Sequence, residues 1–224
     1  MFPPTMPDIV GRMQSLFDTD GNTEALGPGA AVLRGRARAL APALLAAIAE
    51  IAARAPFRRM TTPGGFEMSV AMTNCGTAGW ITDRRGYRYA PTDPLSGQPW
   101  PAMPPLFLEL ARAAAAEAGY PDFVPDACLV NRYEPGTRLS LHQDRDEADH
   151  RHPIVSVSLG LPASFQFGGA RRSDPVRRIA LSHGDVVVWG GPSRLFHHGV
   201  LALKDGDDPQ TGRHRFNLTL RKAF

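Results

Sequence analysis

A chain of 224 residues with 43% hydrophobic and 21% charged residues has the composition of a soluble globular protein with one well-buried core. Its two cysteines, Cys75 and Cys128, exclude a disulfide framework and show no metal-ligand spacing, which points to a reducing compartment. The net charge of +3 is compatible with a polyanionic partner, and the 25 basic residues are nearly all arginine, which suits bidentate contacts with carboxylate and phosphate. A GC-rich genome would enrich arginine equally well.

The longest apolar run, 39–49, is half a membrane span and contains Pro42. The first ten residues, with Pro3, Pro4 and Asp8, lack the basic start and apolar run of a signal peptide. A cytoplasmic protein without a membrane span is therefore expected, and a monomer. Residues 1–30, rich in proline and glycine up to Gly27, Pro28 and Gly29, are expected to be a loosely ordered lead-in that extends to about residue 35. Leu44, Leu45, Ile48, Ile51 and Ala52 then recur at helical spacing, with Pro42 in the first turn and Pro56 as the stop. Between Phe57 and Trp100 the pattern breaks into hairpins and loops. A second helix is expected over 104–118, with Phe107, Leu110, Ala111 and Ala114 on one face and Gly119 ending it.

From Asp126 onward short strands follow one another, at 128–133, 138–142, 154–159, 164–167, 177–181, 186–189, 196–203 and 213–221. Eight short strands with frequent turns argue for a sandwich, barrel or jelly roll. The expected fold is mainly β with flanking helices (α+β). Its divisions are the lead-in 1–30, a helical and hairpin region 31–125, and a β core 126–224, the last two forming one compact unit.

Chemistry concentrates at His142-Gln143-Asp144. In an extended segment His142 and Asp144 point to the same side, so both reach one point, as two of the three ligands of a facial iron site do. A third ligand has to come from elsewhere. His197 and His198 lie in an otherwise apolar strand, where only one of them can face inward; a ligand and a hydrogen-bonded histidine are both open readings. Gly199 favours His198, since the backbone there can approach something closely. His150 and His152 belong to a charged stretch, 144–151, expected to be a solvated loop. In the last strand Arg213, Arg215, Asn217, Thr219 and Arg221 share one face and Phe216, Leu218 and Leu220 the other. If the polar face lines an interior, its guanidiniums require a bound anion, and a small dicarboxylate meets that need. Asn131 and Tyr133 share a face and can reach the same anion.

Together Asn131-Arg132-Tyr133, Leu141-His142-Gln143-Asp144, Leu195-Phe196-His197-His198-Gly199 and Arg215-Phe216-Asn217-Leu218-Thr219-Leu220-Arg221 resemble the AlkB family of iron(II)/2-oxoglutarate dioxygenases, most nearly its bacterial members. The likeness extends upstream through Thr62-Pro63-Gly64-Gly65, the segment from Met68 to Gly76, and Trp100-Pro101. It covers roughly residues 30 to 224.

The resemblance implies a double-stranded β-helix core under an N-terminal nucleotide-recognition lid. It implies Fe(II) held by His142, Asp144 and His198, and 2-oxoglutarate held by Arg215 and Arg221 with Asn131, Tyr133 and Asn217 assisting, with dioxygen as the oxidant. Thr62, Met68, Ser69, Trp80 and Tyr87 fall in the lid, Trp80 and His142 would sandwich a flipped base, Asp146 would meet its exocyclic amine, and Arg172 stands near the site. Arg84, Arg85 and Arg88 are candidate phosphate contacts. The implied activity is oxidative demethylation of N-alkylated bases of the 1-methyladenine and 3-methylcytosine type, with release of formaldehyde. The implied partner is nucleic acid: alkylated single- or double-stranded DNA, with RNA a further candidate. Phe66 and His197 depart from the family pattern at a lid position and beside the third ligand. A jelly-roll binding protein with an inert centre would not need His142, Asp144, His198, Arg215 and Arg221 together.

Overall fold

A computed structural model describes residues 22–224. In chain order its elements are strands β1 (Thr23–Gly27) and β2 (Ala30–Leu33), helix α1 (Ala41–Arg54), strands β3 (Ala71–Gly76), β4 (Gly79–Asp83) and β5 (Gly86–Ala90), helix α2 (Pro105–Glu117), and strands β6 (Ala127–Tyr133), β7 (Leu139–His142), β8 (Ile154–Gly160), β9 (Ala163–Phe167), β10 (Arg177–Leu181), β11 (Val186–Trp189), β12 (His198–Val200) and β13 (Arg215–Arg221). Both helices form where the apolar spacing predicts them. Each takes a proline in its first turn, where the missing N–H costs nothing. Pro56 forces Ala55 out of helical geometry and ends α1.

The strands make a seven-stranded sheet ordered β1-β2-β11-β8-β13-β6-β3, a four-stranded sheet ordered β10-β9-β12-β7, and the separate hairpin β4-β5. Period-two alternation splits the large sheet between two environments. On one face Val155, Val157, Leu159, Leu218 and Leu220 join Leu44, Ile48, Phe107 and Leu110 of the helices in one buried cluster. On the other face Leu129, Tyr133, Ile154 and Trp189 meet Phe165, Phe167 and Val200 of the small sheet. The result is the two-sheet β core expected of a jelly roll, with helices covering the outer face of the large sheet.

Two of these expectations need correction. Part of the supposed lead-in is strand: β1 and β2 form a hairpin, and β2 pairs along β11 from Val186↔Leu33 to Trp189↔Ala30. Gly27, Pro28 and Gly29, which suggested a loose segment, form the tight turn of that hairpin, with Gly29 at φ 72°. Val32 and Leu33 point into opposite buried clusters, so this pair of strands is fixed by burial on both faces. The remainder of the expected lead-in, residues 1–21, lies outside the described residues. β2 and β3, from before residue 126, join strands from beyond it in one sheet. The strand expected over 196–203 is shorter, with only His198–Val200 in the ladder.

Candidate active site

The small sheet brings the three candidate ligands together. β7 ends on His142, β12 begins on His198, and the two are directly paired in register. Asp144 follows two residues after His142. The ligand atoms of His142, Asp144 and His198 lie within 4.8 Å of one another. The Nε2 atoms of His142 and His198 stand 3.6 and 3.7 Å from the two carboxylate oxygens of Asp144. Each imidazole Nδ1 faces a backbone carbonyl, Ser140 O at 2.8 Å and Phe196 O at 3.0 Å. A carbonyl only accepts, so Nδ1 carries the hydrogen and the Nε2 lone pair points to the shared centre.

Burial at the cleft floor and, after it, the neighbouring His198 ring lower the pKa of His142 to about 4. The 39% of its side chain open to the cleft tempers the first effect. Burial alone would raise the pKa of Asp144, but the Arg221 guanidinium and the two imidazoles hold it well below the usual carboxylate range. Two neutral imidazoles and an ionised carboxylate converging from one side are the donor set of a facial iron site with open positions opposite.

Of the histidine pair, His198 faces the centre, while His197 turns its Nδ1 to Gly169 O at 3.2 Å. Gly199 does permit a close approach, although the approaching group is the neighbouring strand. A Cβ at this position would sit 2.7 Å from Leu139 O of β7.

The polar face of β13 turns into the same cleft, which has a volume of about 880 Å³ and is bordered by every residue singled out above for metal, 2-oxoglutarate or base. Arg215 is 1% exposed. Its Nη2 donates to Ser158 Oγ at 3.0 Å, while Nε and Nη1 find no acceptor. Burial lowers its pKa, and the Tyr133 phenol beside it offsets part of the effect. A buried guanidinium with spare donors fits an anionic ligand such as 2-oxoglutarate. Asn131 Nδ2 donates to Asn217 Oδ1 at 3.3 Å, and Asn217 is itself fixed by Ser156 Oγ and Val157 O.

Arg221 is placed differently from Arg215. Its Nε and Nη2 both donate to Asp144 Oδ2, at 3.1 and 2.7 Å, and its Nε lies 3.5 Å from Glu147 Oε1. It borders the cleft, yet it is paired with the candidate carboxylate ligand rather than waiting for an anion. Glu147 corrects the expected solvated loop over 144–151, because its side chain is 1% exposed. It accepts from Tyr89 Oη at 2.6 Å and Arg194 Nη2 at 2.9 Å, and Arg194 Nη1 in turn donates to Asp144 O at 2.6 Å. Glu147, Arg194 and Tyr89 escape sequence reasoning: a glutamate among charged residues reads as solvated, and only tertiary contact makes it a counter-ion.

Above the floor lies the β4-β5 hairpin. The Trp80 indole stacks on Tyr87 at a centroid distance of 5.6 Å and donates from Nε1 to Asp146 Oδ2 at 2.7 Å. Asp146 thus has one oxygen committed to the lid. Ser69 Oγ ties the lid to the backbone of Arg138, and Thr62 Oγ1 accepts from the Phe66 amide at 3.1 Å. Arg172 Nη1 donates to Leu141 O at 2.6 Å. Arg85 and Arg88, considered for phosphate, are tied to Asp83 at 3.2 and 2.6 Å; of the three arginines only Arg84 makes no ion pair among the described residues.

Fold and site together define a mononuclear iron oxygenase that uses a 2-oxo acid. Residues 32–221 match the model of the 2OG-Fe(II) oxygenase superfamily. The alpha-ketoglutarate-dependent dioxygenase AlkB of Salmonella typhimurium is 62% identical over 89% of this chain and 93% of its own length. The solved structure of OsALKBH1 superposes with a TM-score of 0.77 at 27% identity, over 90% of this chain and 100% of that one. More distantly, the DNA N(6)-methyladenine demethylase ALKBH1C of Arabidopsis thaliana is 32% identical over 60% of this chain and 35% of its own length. The chain belongs to the AlkB family of 2OG-Fe(II) oxygenases, which require Fe(II), 2-oxoglutarate and dioxygen.

Proposed function

We propose that this protein is an oxidative demethylase that repairs N-alkylated bases, of the 1-methyladenine and 3-methylcytosine type, in DNA, with RNA a further candidate substrate. The observation that carries the reading is that one cleft joins a His–Asp–His centre, a buried guanidinium with free donors and an aromatic lid. The names of its relatives, one of which specifies DNA demethylation, support the same substrate class.

In this reading His142, Asp144 and His198 hold iron, and Arg215, with Asn131, Tyr133 and Asn217, holds 2-oxoglutarate. When bound, the metal would let dioxygen be the oxidant, with one oxygen atom going to 2-oxoglutarate as it loses carbon dioxide to become succinate and the other to the N-methyl group, whose hydroxymethyl product then releases formaldehyde. The protein's part is placement. Arg221 has the narrower role of fixing the Asp144 carboxylate by donating two hydrogen bonds to one oxygen, which leaves the other for the metal. The Nδ1 anchors on Ser140 and Phe196 keep the imidazoles aimed at the centre.

The base has to leave the helix, which costs little when its methyl already blocks pairing. Tyr87 covers one face of Trp80, so the base stacks on the other, against His142, for about 1–3 kcal/mol. A cationic methylated base gains further from that aromatic face and from Asp146. Thr62, Met68 and Ser69 line the strand path, and Arg172 closes the far side. Residues 31–125 and 126–224 act as one catalytic unit. No described helix is long and apolar enough to cross a membrane, and a monomer in the cytoplasm is part of the proposal.

The test is mass spectrometry of short single-stranded oligonucleotides bearing 1-methyladenine or 3-methylcytosine, incubated with iron-loaded protein, 2-oxoglutarate and ascorbate. Loss of the methyl group with matching succinate is expected. Unchanged lesions would overturn the proposal.

A further inference from the structure

β8 presents two serines, Ser156 and Ser158, on the face opposite the helices, and each hydroxyl serves a side chain of β13. Ser156 Oγ accepts from Asn217 Nδ2 at 2.8 Å, and Ser158 Oγ from Arg215 Nη2 at 3.0 Å. The two differ in position. Ser156 borders the cleft, whereas Ser158 stands behind the guanidinium, buried and outside the cleft lining. Ser158 therefore touches no ligand, and whatever it does it does through Arg215.

Arg215 has unusual surroundings for a buried cation. Among the described residues it makes no ion pair. Its guanidinium carbon lies 5.0 Å from the centre of the Tyr133 ring. Burial pushes the Tyr133 phenol up to about 12, so that group stays neutral at physiological pH. An arginine paired with a carboxylate is held in place by the pair. Here the guanidinium is held by neutral groups, the hydroxyl of Ser158, which accepts from Nη2 and lies behind it, and the phenol of Tyr133 beside it. The other end of the keto-acid site is equally fixed, since the His–Asp–His centre is pinned by backbone carbonyls and by Arg221. A ligand that bridges two fixed points has its length chosen by their separation.

We propose that Ser158 is a positioning residue that sets the depth at which Arg215 receives the distal carboxylate, and thereby the chain length of the 2-oxo acid the cleft accepts. The inference rests on the assignment of Arg215 to that carboxylate. Without the hydroxyl the guanidinium gains reach, so affinity for the five-carbon acid falls while a longer acid is no longer excluded.

The experiment is calorimetric titration of Mn(II)-substituted protein with 2-oxoglutarate and with 2-oxoadipate, one carbon longer. It compares the wild type with Ser158→Ala, Ser158→Thr and Arg215→Gln. Losing a charge-assisted hydrogen bond predicts about tenfold weaker 2-oxoglutarate binding in Ser158→Ala. It also predicts loss of most of the preference over 2-oxoadipate, with Mn(II) affinity unchanged and kcat at saturating 2-oxoglutarate close to wild type. Ser158→Thr keeps the hydroxyl and should keep both affinity and preference. Should Ser158→Ala not fold, Ser158→Cys, of similar size with only a weak acceptor, carries the same expectation. Unchanged affinity and preference in the variant lacking the hydroxyl, or Thr behaving like Ala, overturns the proposal. If Arg215→Gln binds 2-oxoglutarate normally, it is the assignment of Arg215 that has failed, and Ser158 falls with it.

Discussion

The floor and the lid of the cleft are built on opposite terms. The floor sits between two sheets, its charged groups are largely buried, and its ligand side chains are held by neighbours: the imidazoles by backbone carbonyls and Asp144 by Arg221. The lid is a two-stranded hairpin, an element of marginal stability alone. It carries an exposed aromatic, Tyr87 at 50%. Its order comes from ties to the floor side: the Asn74 side chain brackets the backbone of Trp80, Trp80 reaches Asp146, and Tyr89 reaches Glu147. The chemistry thus rests on a scaffold that resists displacement, and recognition rests on one whose order is borrowed.

Substitutions at the two levels should separate accordingly. His198→Ala removes a floor ligand and should abolish turnover, with metal affinity reduced on the order of 100-fold or more by Co(II) titration; near-normal affinity would show that the centre does not depend on it. Glu147→Ala leaves Arg194 and Arg221 buried without their shared counter-ion, a loss of about 3–5 kcal/mol by chemical denaturation. It is also the one change that should damage both levels, because Tyr89 loses its anchor with it. Trp80→Ala should weaken binding of methylated oligonucleotide by about 1–3 kcal/mol while leaving 2-oxoglutarate affinity as it was. A fall in both would mean that the lid is part of the floor.

The mildest effect is one of pH. The folded His142 ring has a pKa near 4, below the ordinary value of 6.5. Between those values the unfolded chain takes up a proton that the folded ring refuses. Metal-free protein should therefore lose stability as pH falls through that window and level off below it, and melting curves of His142→Gln should show a shallower slope.

How far these two levels are legible in sequence follows from the same difference. The alternation along Arg215–Arg221 assigns its residues to the correct faces because a strand buried on both sides leaves no freedom of register. His142 and Asp144 are readable because residues two apart in an extended segment share a side. The hairpin of β1 and β2 is missed because its turn glycines look like disorder and its partner, β11, lies far along the chain. Glu147 and Ser158 are missed because nothing local distinguishes a serine facing solvent from one facing a guanidinium. Arg221 is found as a site residue, but its pairing with Asp144 is not, since alternation gives direction but not distance.

The crossing of β7 and β12 at Gly199 has a consequence for how this centre can change. The spacing of two ligands is governed by a residue with no side chain, since any substituent there must wedge the Leu139 carbonyl away and part His142 from His198. A family member could trade Tyr87 or Phe66 and explore new lesions, but a single methyl group at residue 199 would be felt first by the metal. Tolerance to mutation near the centre is thus distributed by depth, and one of its tightest positions has no functional group at all.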